Sequence, residues 1–264
     1  MSFADATAVH GSDGHWKADI PPGWDIFGIT NGGFLLATMT RAMSNETDGR
    51  DPISVTGHFL NPVSTGTVGI EVDTLKAGRT LSTLRSRMTL DGKPMVAATA
   101  VFADPDRPKH PSDLIVPTAP VFPPPEDCIS VKHDPETPIP PPFTDRVDFR
   151  AHPEDLLGFV EERTGSPIVR GWFRLLGGEA LDPFSVVLAT DALPPAVFNS
   201  SFPLGWTPTI DLSIQIRNPR PAGWLQCQFT TRFVTGGLLE EDGEIWDETG
   251  HIVALSRQLA LVPR

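Results

Sequence analysis

Apolar and polar positions alternate cleanly in the last stretch of the chain, HIVALSRQLALV (His251 to Val262). One side carries Val253, Leu255, Arg257, Leu259 and Leu261; the other carries Ile252, Ala254, Ser256, Gln258 and Ala260. That predicts a strand bounded by the turn Glu248-Thr249-Gly250 and by Pro263. Gln258 is the one long polar residue on a side otherwise of small or apolar residues. TIDLSIQIR separates Ile210, Leu212, Ile214 and Ile216 from Asp211, Ser213, Gln215 and Arg217. TVGIEVDTLKAG, TLSTLRSRMTL, WLQCQFTTRFV and GGLLEEDGEIWD follow the same rule less strictly.

Two stretches break to a helical period. NGGFLLATMTRAMS begins at Asn31, a good N-cap, and groups Phe34, Leu35, Thr38, Met39 and Met43 near one face. Gly32 and Gly33 permit close backbone approach at its first turn. LDPFSVVLATDAL begins at Asp182 as N-cap with Pro183 at the first helical position. Both helices are apolar enough to be buried. Between the halves, Asp104 to Pro142 holds 13 of the 28 prolines. Proline lacks a donor and fixes its backbone, so this segment is an extended connector.

Setting the halves side by side at an offset of 157 aligns Ile53 with Ile210, Asn61-Pro62 with Asn218-Pro219, Thr74 with Thr231, Leu81 with Leu238, and Val96-Ala97 with Val253-Ala254. Strand, Asn-Pro turn, two long strands, tight turn and last strand recur in the same order. The chain is read as a duplication: repeats at 1–104 and 143–264 joined by a connector at 105–142, each an antiparallel sheet wrapped around one helix, an α+β layout.

Composition narrows the function. Net charge is −12, from 21 basic and 33 acidic side chains, which argues against a nucleic-acid groove or an anionic membrane surface. No basic leader with an apolar core opens the chain, and no apolar run reaches membrane-spanning length, so a cytoplasmic protein is expected. Cys128 and Cys227 lack metal or disulfide spacing, and no metal site or bound cofactor is expected. Tyrosine is absent, which removes any tyrosine acid or base. The G-x-S-x-G, P-loop, dinucleotide and H-E-x-x-H signatures are absent too.

The series GWDIFGITNGGFLLATM, VTGHFLNPV, GWFRLLGG, TIDLSIQIRNP and RFVTGGLLEEDGEIWDETGHIVALSRQLAL resembles the acyl-CoA thioesterases of double hotdog type, the group that includes the bacterial type II enzymes. The resemblance implies hydrolysis of acyl-CoA to free acid and CoA by a water held by an Asp, a Ser or Thr, and a Gln of the second repeat. By position these are Asp211, Thr235 and Gln258; the first repeat has Ser54, Gly78 and Val101 at the same offset. Asp211 would deprotonate the water or attack the carbonyl itself, and the sequence leaves both routes open. Thr230 and Thr231 stand near enough to replace Thr235 under a small slip. The free N–H groups around Gly32 and Gly33 would receive the oxyanion. A homo-oligomer is expected. Two alternatives stay open: a non-catalytic acyl-CoA or lipophilic-ligand binding protein, and a hotdog enoyl-CoA hydratase, for which no Asp and His pair is found.

Overall fold

The computed structural model describes residues 1–106, 117–137, 139–155, 165–200, 202 and 205–262; part of the expected connector, 107–116 and Pro138, lies outside the described residues. The chain opens with a short helix α1 (Phe3–Ala6), then β1 (His10–Ser12), β2 (His15–Ile20) and a small ribbon of β3 (Asp25–Ile26) with β4 (Ile29–Thr30). The long helix α2 (Gly32–Ser44) follows, and then β5 (Asp51–Phe59), β6 (Gly66–Ala77), β7 (Leu81–Leu90) and β8 (Lys93–Ala103). The later part runs β9 (Ile129–Val131), β10 (Val147–Ala151), β11 (Ile168–Leu175), helix α3 (Pro183–Ala189), β12 (Thr209–Ile216), β13 (Leu225–Thr230), β14 (Val234–Thr235), β15 (Leu238–Asp247) and β16 (Ile252–Leu261). Among the described residues the Pro-rich segment contributes one strand, β9, of three residues at the sheet edge, where missing donors cost least.

Among the described residues the main sheet has 14 antiparallel strands in the order β1-β2-β6-β7-β8-β5-β12-β16-β15-β13-β11-β10-β9, with β14 paired to β15. Its centre is the β5–β12 pair, where the two halves join edge to edge. This is the double hotdog: two tandem sheets, each with its own helix, made continuous by pairing the strand that follows each helix. The repeat is visible in the irregularities as well. A bulge separates Pro52 from Ser54 in β5 and Thr209 from Asp211 in β12; another break lies at Met88/Thr89 and at Ile245/Trp246.

The helices lie on the sheet's inner face. A Cβ on Gly57 would meet the Leu36 side chain at 2.8 Å, which identifies the side of β5 that α2 covers. Phe34, Leu36, Met39 and Met43 are fully buried there with Val55, Leu84 and Met88. Each such side chain stabilises the fold by a few kcal/mol, and Phe34→Ala would cost about 3–5 kcal/mol. The helices run antiparallel in contact. At one end Arg41 in the last turn of α2 pairs with Asp182, the N-cap of α3, at 3.0 Å and lies over the Phe184 ring at 4.2 Å. At the other end the start of α2 meets Asp191, just past α3.

Both expected caps are present. Asn31 Oδ1 accepts from the Phe34 N–H at 2.9 Å, and Asp182 Oδ1 accepts from Phe184 and Ser185. One correction concerns the last strands. Leu212 faces Gln258, whereas its counterpart Val55 faces Ala100. Gln258 therefore corresponds to Ala100 on the inner face, not to Val101, which pairs with Ser54 on the outer one.

Candidate active site

The start of α2 is where chemistry collects. Asn31 is held by its own N–H to the Trp24 carbonyl at 2.9 Å, and the Trp24 ring stacks on Phe34 with centroids 4.6 Å apart. Its side chain then serves two purposes. Oδ1 caps the helix, while Nδ2 donates to the Asp191 carbonyl at 2.8 Å and to Asp191 Oδ2 at 3.1 Å. The same Oδ2 accepts the Gly33 N–H at 2.8 Å. Glycine is what lets the carboxylate in: a Cβ on Gly33 would lie 2.8 Å from the Asp191 Cβ, and one on Gly32 would touch the Phe59 ring at 3.0 Å.

Asp191 thus sits at the positive end of α2, where the Gly32 and Gly33 N–H groups bond to it. It lines a cavity and keeps some accessible surface, yet lies deep among protein atoms. That burial pushes its carboxyl up to about 6, against the hydrogen bonds from Gly33, Asn31 and Gly32 that favour the carboxylate.

The cavity holds about 290 Å³ and is lined on its polar side by Asn31, Gly32, Asp191, Thr209, Glu241 and Gln258. Its apolar walls include Leu35 and Phe59, and its rim carries Leu60 and Trp206, 51% and 40% exposed. Among the described residues no Lys, Arg or His lines it.

Of the residues expected from the sequence, Gln258 and Gly32 line this cavity. Gln258 is 8% exposed and faces inward beside Leu212; its Nε2 donates to Thr209 Oγ1 at 2.5 Å. Asp211 is not brought to them. It pairs with Leu259 and His58, one residue on from the Leu212–Gln258–Gly57 row, and so stands on the opposite face of the sheet. Thr235 is exposed, opposite Leu238 in the hairpin turned by Gly236 and Gly237 at φ 61° and 81°. Positive φ at both central positions is a tight hairpin turn, and Thr235 is one of its flanks. Gly33 is at the site, but its N–H is already donated to Asp191 and is not free for an oxyanion.

Three further residues of the cavity escape the sequence pattern. Thr209 shares a face with Asp211 under strict alternation, but the bulge between them turns Thr209 inward, opposite Ala260. Asp191 follows the apolar run PFSVVLAT, where a carboxylate just past a buried helix is the available signal. Glu241 is the cross-strand partner of Gln258 and lies at 6% exposure in GLLEEDGE. Its Oε2 accepts the Ala196 N–H at 2.5 Å. Burial pushes its carboxyl up to about 8, with Asp191, Glu240 and Asp242 adding to the rise and the Ala196 bond opposing it.

Comparison with known proteins gives this cavity a lineage. A model of the acyl-CoA thioesterase N-terminal domain matches residues 20–103, and a model of the acyl-CoA thioesterase C-terminal domain matches 125–262. The chain belongs to the acyl-CoA thioesterase family. A thioesterase II structure from Thermobifida fusca, itself described as putative, is 32% identical with a TM-score of 0.89, covering 100% of this chain and 98% of that one. A hot dog protein of unknown function from Alicyclobacillus acidocaldarius shares the fold at a TM-score of 0.85 and 21% identity, covering 99% and 98%. The uncharacterized protein Rv0499 of Mycobacterium tuberculosis is 24% identical across 94% of this chain and 91% of its own length.

In this member of the acyl-CoA thioesterase family the cavity draws on both matched domains. Asn31 and Gly32 come from the N-terminal one; Asp191, Thr209, Glu241 and Gln258 come from the C-terminal one.

Proposed function

We propose that the protein hydrolyses acyl-CoA thioesters to the free acid and CoA, using Asp191, Thr209 and Gln258 to hold and activate the attacking water. The observation that carries this is their meeting in one cavity at the amino end of α2. Near neutral pH Asp191 is mostly ionised, with a pKa close enough to 7 for a general base. Gln258 gives its N–H to Thr209, which leaves the Thr209 hydroxyl proton and the Gln258 carbonyl for a water between them. Water oxygen bonds to the acyl carbon as Asp191 takes a proton. The C–S bond then breaks, and the departing thiolate recovers that proton.

The apolar walls and the Leu60–Trp206 rim suit an acyl chain and its pantetheine arm. Action in the cytoplasm as a homo-oligomer, without metal or bound cofactor, belongs to the same reading. Thiol release from acyl-CoAs of acetyl to palmitoyl length, followed with a thiol-reactive dye, tests it. Asp191→Asn should abolish turnover while acyl-CoA binding survives, and Asp211→Asn should leave turnover unchanged. Binding without turnover at any chain length would make the protein an acyl-CoA carrier instead.

A further inference from the structure

Glu241 is the part of the cavity that water activation leaves unused. It is a buried carboxyl on the inner face of β15, directly across from Gln258 on β16, so the two side chains begin about 5 Å apart. One of its oxygens is occupied by the Ala196 N–H; among the described residues the other has no hydrogen-bond partner, and the side chain lines the cavity. A carboxyl oxygen that lines a cavity without a protein partner is open to one from water or a bound ligand. Meanwhile the first turn of α2, the obvious oxyanion cradle, has Gly33 committed to Asp191. The amino end of α2 therefore spends its Gly33 N–H, and with it the Gly32 N–H, on Asp191 rather than on a substrate oxygen.

We infer that Glu241, as a carboxylic acid, donates a hydrogen bond to the thioester carbonyl oxygen of the substrate and to the oxyanion that forms there; this rests on the hydrolysis reading. The groups around it keep the proton in place. Asp191 faces it from the end of α3, Glu240 and Asp242 flank it on its own strand, and all three repel a second negative charge. The cations nearby, Arg232 and Arg257, are occupied on the outer side by Asp242. The turn at Ala196–Asn199 offers an N–H and no charge. A neutral acid held on a buried strand position is a preorganised donor. The proton is not consumed: when the tetrahedral species collapses, the oxygen returns to a carbonyl, the C–S bond breaks, and Glu241 keeps its hydrogen.

The test compares the wild type with Glu241→Gln and Glu241→Ala. Glu241→Ala should lower kcat about 10²–10³-fold with little change in KM, the loss expected for one oxyanion donor. Glu241→Gln keeps a donor that does not titrate; it should retain most turnover and lose the alkaline fall in rate near pH 8. The direct readout is infrared, using a ketone analogue in which CH₂ replaces the thioester sulfur and the carbonyl is ¹³C-labelled. Its C=O band should shift to lower frequency on binding the wild type, and less on binding Glu241→Ala. Wild-type turnover by Glu241→Ala, an alkaline limb kept by Glu241→Gln, or an unshifted band in the wild type overturns the inference. If the wild type hydrolyses no acyl-CoA, the hydrolysis reading fails, and the band shift still decides whether Glu241 meets the carbonyl.

Discussion

Thr56 and Ser213 are counterparts in the two repeats, 157 residues apart, and they face each other across the β5–β12 seam with hydroxyl oxygens 3.2 Å apart. A residue paired with its own counterpart marks the local twofold axis. Every other pair in that ladder is an exchange around it: Asp211 with His58, Gln215 with Ser54. The hydrogen bond between them is a small part of a ladder held mostly by backbone. Thr56→Val should cost about 0.5–1.5 kcal/mol in urea unfolding and leave hydrolysis intact.

Asn31 joins helix capping to Asp191, the proposed base. Asn31→Ala removes the cap, worth about 1 kcal/mol, and also a bond that favours the Asp191 carboxylate. Losing a hydrogen bond to the charged form raises the pKa. The acid limb of the pH–rate profile should therefore move above 6 as kcat falls, while a variant that loses only stability would keep its profile.

The proposed roles of Asp191 as base and Glu241 as acid predict a bell-shaped profile. Activity should rise as Asp191 loses its proton near 6 and fall as Glu241 loses its own near 8. Initial rates from pH 5 to 9, at saturating substrate and ionic strength held fixed, check both limbs.

Folding should report Glu241 independently of any substrate. Its folded pKa is raised from 4.5 to about 8, so the folded state holds a proton that the unfolded chain gives up. The contribution is fully present below 4.5 and is lost as pH climbs through 8. Thermal unfolding should show the wild type losing stability relative to Glu241→Gln between pH 5 and 8. Parallel curves would mean that the carboxyl is not raised.

Gly33→Ala places a methyl 2.8 Å from the Asp191 Cβ. The carboxylate has to move, so kcat should collapse with a loss of stability in the range of about 1–3 kcal/mol typical of overpacking. Thr235→Ala, on the exposed hairpin, should change stability by no more than about 0.5 kcal/mol and leave turnover as it is.

The elements that depend on local chemistry were legible in the sequence: the caps at Asn31 and Asp182, the proline after the second cap, the tight turns, and the duplicated order of strands. Gln258 was legible too, because a long amide on a face of small residues is anomalous under alternation alone. Thr209 was not, since one bulged residue reverses every facing before it, and nothing in TPTIDLS advertises the bulge. Glu241 hid among Glu240, Asp242 and Glu244, where an acidic run reads as a solvated face. Asp191 required knowing that the second helix stops at Ala189 and that its end meets the start of the first. Those are tertiary facts, and alternation within one strand carries no trace of them.

The helix pair has two ends that a strict twofold would make alike, and they are not. Arg41, Asp182 and Phe184 plug one, while Asp191 opens the other to a cavity. Fusing the repeats into one chain lets each copy change alone, and under the proposed reading the N-terminal half supplies Asn31 and the helix start while the C-terminal half supplies Asp191, Thr209 and Gln258. The two ends have parted ways, one tied by an ion pair and the other left open to a cavity.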